Sequence, residues 1–286
     1  MRRYTKRRFP RRKALRRPFS RKRGKIPRRR PMTKRAVLNV TTKKKRDDMI
    51  PTRFYTTGQG APVIGGVVIP STGISSIVFV PTARSIRPAD ANGIASYAQR
   101  SSHDTFSVGY KERVSLEMLP GAVFQWRRIV FSMSFATVPG LFGYLETEPI
   151  GMSRVVDILL PTDAAKISGV LFRGNGGIDW NFPITAPVDT TRVKLFSDKL
   201  RILSPGADIG AVRNFKEYYS TRQRFTYNDD ETGKNISNNE SSYYAVQNRQ
   251  SMQDLVVFDI FAPSAGSSET AGMVFSPEGS YYWHEK

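Results

Sequence analysis

The chain has 286 residues, with 45 Lys and Arg against 24 Asp and Glu, a net charge of +21 and no cysteine. The lack of cysteine excludes disulfides, thiolate nucleophiles and Cys-ligated zinc, and suits a reducing compartment. Residues 1–46 hold 23 of the basic residues and no acidic one, so residues 47–286, with the other 22 and all 24 acids, are nearly neutral.

Burying unpaired cations at that density would cost several kcal/mol each, and like charges repel and extend a chain. Residues 1–46 are therefore expected to be a disordered arm until a polyanion neutralises them. Pro10, Pro18, Pro27 and Pro31 interrupt any helix there, and Tyr4, Phe9 and Phe19 are spaced to stack on exposed bases. The predicted nucleic-acid contacts are Arg2, Arg3, Arg7, Arg8, Arg11, Arg12, Arg16, Arg17, Arg21, Lys22, Arg23, Arg28, Arg29 and Arg30. No spacing among them suggests base readout, so the expected mode is phosphate neutralisation without sequence preference. Arg21-Lys22-Arg23 and Lys43-Lys44-Lys45-Arg46 also read as nuclear-import signals, which predicts a host nuclear import receptor as a partner. No apolar stretch follows the first charges as in a secretory signal, and the prolines oppose a mitochondrial presequence. The mildest stretch, Ala61 to Ile69, falls far short of the ~20 apolar residues of a membrane span.

In chain order, Ala36 to Val40 is the first expected strand, and the shell domain is expected over 36–286. Pro51 to Gly73, rich in Pro, Gly, Thr and Ser, reads as a long loop, and Ile74 to Val80 as a strand. Residues 81–106 are irregular, with a helical turn near Ala91–Arg100. Residues 107–118 alternate, placing Val108, Tyr110, Val114, Leu116 and Met118 on one face and Ser107, Lys111, Arg113, Ser115 and Glu117 on the other. Pro120-Gly121 turns into a strand over Val123 to Phe135, with Ile129, Phe131, Met133 and Phe135 opposite Ser132 and Ser134. Ser153 to Leu160 fits a strand or a short helix, and Gly169 to Phe172 reads as a short strand before the loop at Gly174-Asn175-Gly176-Gly177. Thr191 to Leu203 is a strand whose phase changes near Ser197-Asp198, which predicts a bulge. Arg213 to Tyr227 alternates through Phe215, Tyr219, Phe225 and Tyr227. Asn228 to Ser242 is an acidic, Asn-rich loop, Leu255 to Phe261 a strand buried on both faces, and Met273 to Phe275 and Ser280 to Trp283 are terminal β segments. About eight strands with uneven loops make an all-β antiparallel sandwich or barrel, of which the eight-stranded jelly roll is one form.

No catalytic constellation stands out, so no enzyme activity, cofactor or metal is expected. His103 and His284 are the only histidines and have no cysteine to join. Gly24-Lys25 and Gly233-Lys234 lack the upstream glycine of a phosphate-binding loop. Asn228, Asp229, Asp230, Glu231 and Asn239 have the oxygen donors of a divalent-cation site, but a solvated loop explains them better. Asn235-Ile236-Ser237 and Asn239-Glu240-Ser241 match the glycosylation pattern by chance in a chain with no secretory signal. Arg127 with Arg128, and Arg222 with Arg224 on the face opposite the aromatics, either extend the nucleic-acid surface onto the body or line a solvated strand face. An arm of this kind suits a viral capsid protein with a DNA or RNA genome, and equally a cellular ribosomal or chromatin-like protein with a basic tail. The large, neutral, long-looped β body favours the capsid.

Five short segments narrow the choice. Lys44-Lys45-Arg46-Asp47-Asp48-Met49-Ile50-Pro51, Ile178-Asp179-Trp180, Val188-Asp189-Thr190-Thr191-Arg192-Val193, Ser197-Asp198-Lys199-Leu200-Arg201-Ile202 and Tyr227-Asn228-Asp229-Asp230-Glu231 resemble, in the same order, segments of genomovirus capsid proteins. The likeness to the related geminiviruses is weaker, since their capsid proteins usually carry cysteines. The resemblance implies a jelly-roll subunit that packages a circular single-stranded DNA genome. It also implies nuclear entry, a virion location, no membrane, and a small T=1 shell of about 60 identical copies.

Overall fold

The computed structural model describes residues 32–54, 61–86, 97–147, 150–206, 209–229, 241–265, 267 and 271–286. The chain divides into two compact units, Met1–Val40 and Thr41–Lys286. Within the first, the expected strand over Ala36 to Val40 is instead most of a helix, α1 (Lys34–Thr41). The Ala36 amide donates to Thr33 Oγ1 at 3.2 Å, the N-cap bond that satisfies an otherwise orphaned amide of the first turn. That local bond outweighs the β preference of Val37 and Val40.

The second unit is built from β1 (Lys43–Met49), β2 (Pro51–Arg53), β3 (Val63–Ile64), β4 (Val67–Pro70), β5 (Ser75–Phe79), β6 (Asp104–Met118), β7 (Phe124–Met133), β8 (Leu145–Thr147), β9 (Gly151–Val155), α2 (Pro161–Leu171), β10 (Lys194–Leu203), β11 (Ala211–Asp229), β12 (Ser241–Ala245), β13 (Asp254–Pro263) and β14 (Gly272–Glu285). One sheet runs β1-β14-β6-β11-β12, with β4 also on β14. A second runs β10-β7-β13-β5, and a small third one β3-β2-β9-β8.

The order of the eight principal strands defines the fold. β1 pairs with β14, β5 with β13, β6 with β11, and β7 with β10, all antiparallel. First meets last, second meets seventh, third meets sixth and fourth meets fifth, as in one long hairpin closed at its middle. The hairpin is then rolled, which brings β14 beside β6 and β13 beside β7, again antiparallel. Two four-stranded sheets joined in this way are a jelly roll.

Two apolar layers hold it. Between the sheets lie Trp126 and Val130 of β7, Val257 and Phe261 of β13, Tyr110 and Leu116 of β6, and Phe275, Tyr281 and Trp283 of β14. On the far side of the second sheet, Ile129, Phe131, Val256 and Phe258 pack under Ile167, Leu171 and Phe172, from α2 and the residue after it. β13 is buried on both faces, as its continuous apolar run predicts. So is β7, against the expected polar face at Ser132 and Ser134.

Other segments differ from expectation for local reasons. The expected loop over Pro51 to Gly73 contains the short strands β2, β3 and β4. Pro161 opens α2 at a position where its missing N–H costs nothing, and the predicted strand Gly169 to Phe172 is largely the end of that helix. The predicted bulge in β10 is present as a register shift between Leu195 and Ser197. Most of the expected turn near Ala91–Arg100 falls outside the described residues.

Candidate nucleic-acid interface

The arm contacts predicted from Arg2 to Arg30, including Arg21, Lys22 and Arg23, lie outside the described residues. Lys43 to Arg46, expected at the end of the arm, are ordered in the structure. They form the start of β1, in register with Glu285 to Tyr282. Lys45 faces inward and is buried, with its Nζ 2.9 Å from Glu285, 2.6 Å from the Gln99 carbonyl and 2.9 Å from Ser101 Oγ. Burial opposes charge on Glu285, but hydrogen bonds from Ser101, Trp283 and Lys45 outweigh it and hold its pKa below the usual range. Arg46 points outward and pairs with Asp48 at 2.7 Å. Of the expected import signal Lys43-Lys44-Lys45-Arg46, the structure leaves Lys43, Lys44 and Arg46 exposed on β1 and buries Lys45.

Arg127 and Arg128 are corrected as nucleic-acid contacts, because neither reaches the surface. Arg127 faces the α2 side, donating to Asp198 at 2.7 and 2.9 Å and to the Ala186 carbonyl at 2.7 Å. Arg128 points between the sheets into a closed ion cluster. It donates to Asp259 at 2.6 and 3.0 Å and to Glu112. Arg154 completes the cluster, donating to Glu112 at 2.8 Å and to Asp259 at 3.0 Å. The Tyr110 hydroxyl donates to Glu112 at 2.7 Å and Trp126 Nε1 to Asp259 at 2.9 Å.

All four charged side chains of the cluster are 0% exposed. Two cations and two anions sum to zero, the condition under which buried charge is tolerated. Burial raises the Glu112 pKa, but Arg128 and Arg154 more than reverse that and leave it lowered. The cluster ties β6 of the first sheet, β7 and β13 of the second, and β9 of the third. Glu112 was legible as an acid on the apolar face of an alternating strand. Arg154, on a segment ambiguous between helix and strand, gave no such signal.

Arg222 and Arg224 do lie at the surface. Arg222 sits where the β6–β11 register shifts between Ser220 and Gln223, with φ of 45°. Arg224 is ion-paired to Asp104 at 2.7 Å. The outward face of the first sheet is mixed, with Arg46, Lys111 and Arg113 beside Asp48 and Glu278, so it offers no continuous basic track. The cation candidate Asp230, Glu231 and Asn239, with the Asn235 pattern and Gly233-Lys234, lies outside the described residues. Among the described residues no helix is long and apolar enough to cross a membrane.

No protein-family model and no curated protein matches the chain. Among solved structures it is similar to the unassembled KI polyomavirus VP1 pentamer, at 10% identity over 90% of this chain and 98% of that one, with a TM-score of 0.17. It is also similar to Merkel cell polyomavirus VP1 in complex with disialyllactose, at 7% identity over 84% and 76% of the two chains, with a TM-score of 0.12. Superpositions at that level carry no weight, and the jelly-roll assignment rests on strand order.

Proposed function

We propose that this chain is a capsid subunit that self-assembles into a T=1 icosahedral shell and packages circular single-stranded DNA through residues 1–46. The observation that carries this reading is a nearly neutral jelly-roll body joined to a segment with 23 cations and no acid. An enzyme is not proposed. Roughly 60 copies would bring about 1,400 positive charges inside, a scale that suits a genome of a few thousand nucleotides, with counterions meeting the rest. Single-stranded DNA suits such packing because it bends without duplex stiffness. DNA rather than RNA is supported by the genomovirus resemblance.

Nuclear entry is assigned to Arg21-Lys22-Arg23, since Lys45 of the second basic cluster is buried. A fluorescent fusion carrying Ala at 21, 22 and 23 is expected to lose nuclear accumulation, and one carrying Ala at Lys43 and Lys44 to keep it.

The test of the main reading is negative-stain electron microscopy of the purified protein with nuclease digestion. Uniform closed particles holding protected single-stranded DNA are expected. Protected RNA would change the cargo, and monomers that bind nucleic acid but leave it nuclease-sensitive would point to a cellular binding protein.

A further inference from the structure

Where the start of β10 meets the end of β7, a groove of about 640 Å³ is open to solvent. Arg192, Lys194 and Arg249 line it together with Gln223, Asn248 and Gln253, and among the described residues none of those lining it is a carboxylate. Arg192 is held in place by Asp189 at 3.0 Å and by donation to the Gly169 carbonyl at 2.8 Å. Lys194 and Arg249 are exposed, and Arg222, also exposed, immediately precedes the lining residue Gln223.

Within Thr41–Lys286, the groove lies on the same side of the first sheet's strands as the start of β1. Lys43, at the start of β1, pairs with Glu285 of β14; Glu285 with Thr105 of β6; and Thr105 with Phe225 of β11. Beside Phe225, the Arg224 carbonyl accepts the Met252 amide at 2.7 Å, and Met252 lines the groove. At about 4.8 Å per strand, three strand spacings place the groove about 14 Å across the sheet from the start of β1.

We infer that this groove binds the sugar-phosphate backbone of the single-stranded polynucleotide gathered by the arm, giving the shell a second, ordered contact on its folded body. The cations take phosphates and the amide side chains of Gln223, Asn248 and Gln253 bond to sugar or base edges. Among the described residues no aromatic ring lines the groove, so these supply no stacking platform and no base preference by stacking.

The inference rests on the packaging function proposed above, and one experiment separates the two. The full-length chain is irradiated with a short oligodeoxynucleotide carrying 5-bromodeoxyuridine, and the crosslinked peptides are mapped. Crosslinks within 190–195 or 246–253, in addition to residues 1–46, are expected. In a Lys194→Glu/Arg249→Glu chain those body crosslinks should vanish while the arm crosslinks remain. The slope of log affinity against log salt should become shallower by about 1.4, the effect of two fewer phosphate contacts on a single strand. Wild-type crosslinks confined to residues 1–46 would overturn the groove and leave the packaging reading intact. No crosslink anywhere, with no oligonucleotide binding, would overturn both.

Discussion

Glu112 and Arg128 illustrate how a charged residue in a β protein is misread. Arg128 is one of two consecutive arginines on a strand, which resembles a surface pattern, yet its partners Glu112 and Asp259 lie on two other strands. Removing one member of such a cluster leaves an uncompensated buried charge, so Arg128→Met or Glu112→Gln should destabilise the fold by about 3–5 kcal/mol. Denaturant titration of the variants checks this. A loss near zero would mean that the ion cluster is not closed as described. Asp254 behaves differently. It is buried with no cation beside it among the described residues, and desolvation raises its pKa to about 7, although the amides of Ala245 and Phe135 donate to it at 2.9 and 3.1 Å. A carboxyl whose folded pKa is raised favours the protonated fold, so its contribution is full below about pH 4 and is lost as pH rises towards 7. The stability of the wild type relative to Asp254→Asn should therefore fall between pH 4 and 7 and level off above. A gap independent of pH, in midpoints measured across that range, would remove Asp254 from this role.

Among the strands, the informative feature is one line of irregularity crossing three of them. β6 gains an extra residue at Val108 relative to β14, where Tyr282 faces Gly109 and Trp283 faces Ser107. At the same level β11 shifts between Ser220 and Gln223. The buried face of β6 changes phase there, from Thr105 and Ser107 to Tyr110, Glu112 and Val114. That change moves Val108 off the apolar face on which simple alternation places it. A Cβ at Gly109 would meet the Tyr219 carbonyl oxygen at 2.6 Å and the Tyr218 hydroxyl at 2.8 Å. Backbone has to move to admit it, so Gly109→Ala should cost about 1–3 kcal/mol by thermal or chemical unfolding. Gly73→Ala, which meets no neighbour, is the control and should change little.

For the molecule as a whole, the separation of charge predicts a separation of forces. On the proposed function, packaging would depend on phosphate neutralisation and weaken with salt, whereas apolar contacts between subunits would not. Particles from a chain lacking residues 1–31 should assemble with little protected nucleic acid, and the 260/280 nm absorbance ratio should fall towards that of protein. If the truncated chain packaged as much DNA as the wild type, the arm would not be the packaging element.

Composition alone marks residues 1–46 as a purely basic segment, because charge is a sum over residues, but it did not show that the end of the segment folds as α1 and the start of β1. Period-two alternation located β6 and β11, and the unbroken apolar run of β13 reported burial on both faces, because each is a local property of the chain. Strand pairing was not legible, since β1 meets β14 across the full length of the body and nothing near either one states its partner. The same non-locality hid the fates of the cations. Lys45 looks like its exposed neighbours Lys44 and Arg46, nothing near Arg128 in sequence names its counterions, and only the rolled hairpin brings Glu285 to the one and Glu112 and Asp259 to the other. Charge in a segment is a sum over residues, whereas burial of a given charge depends on which distant strand arrives with its counterion.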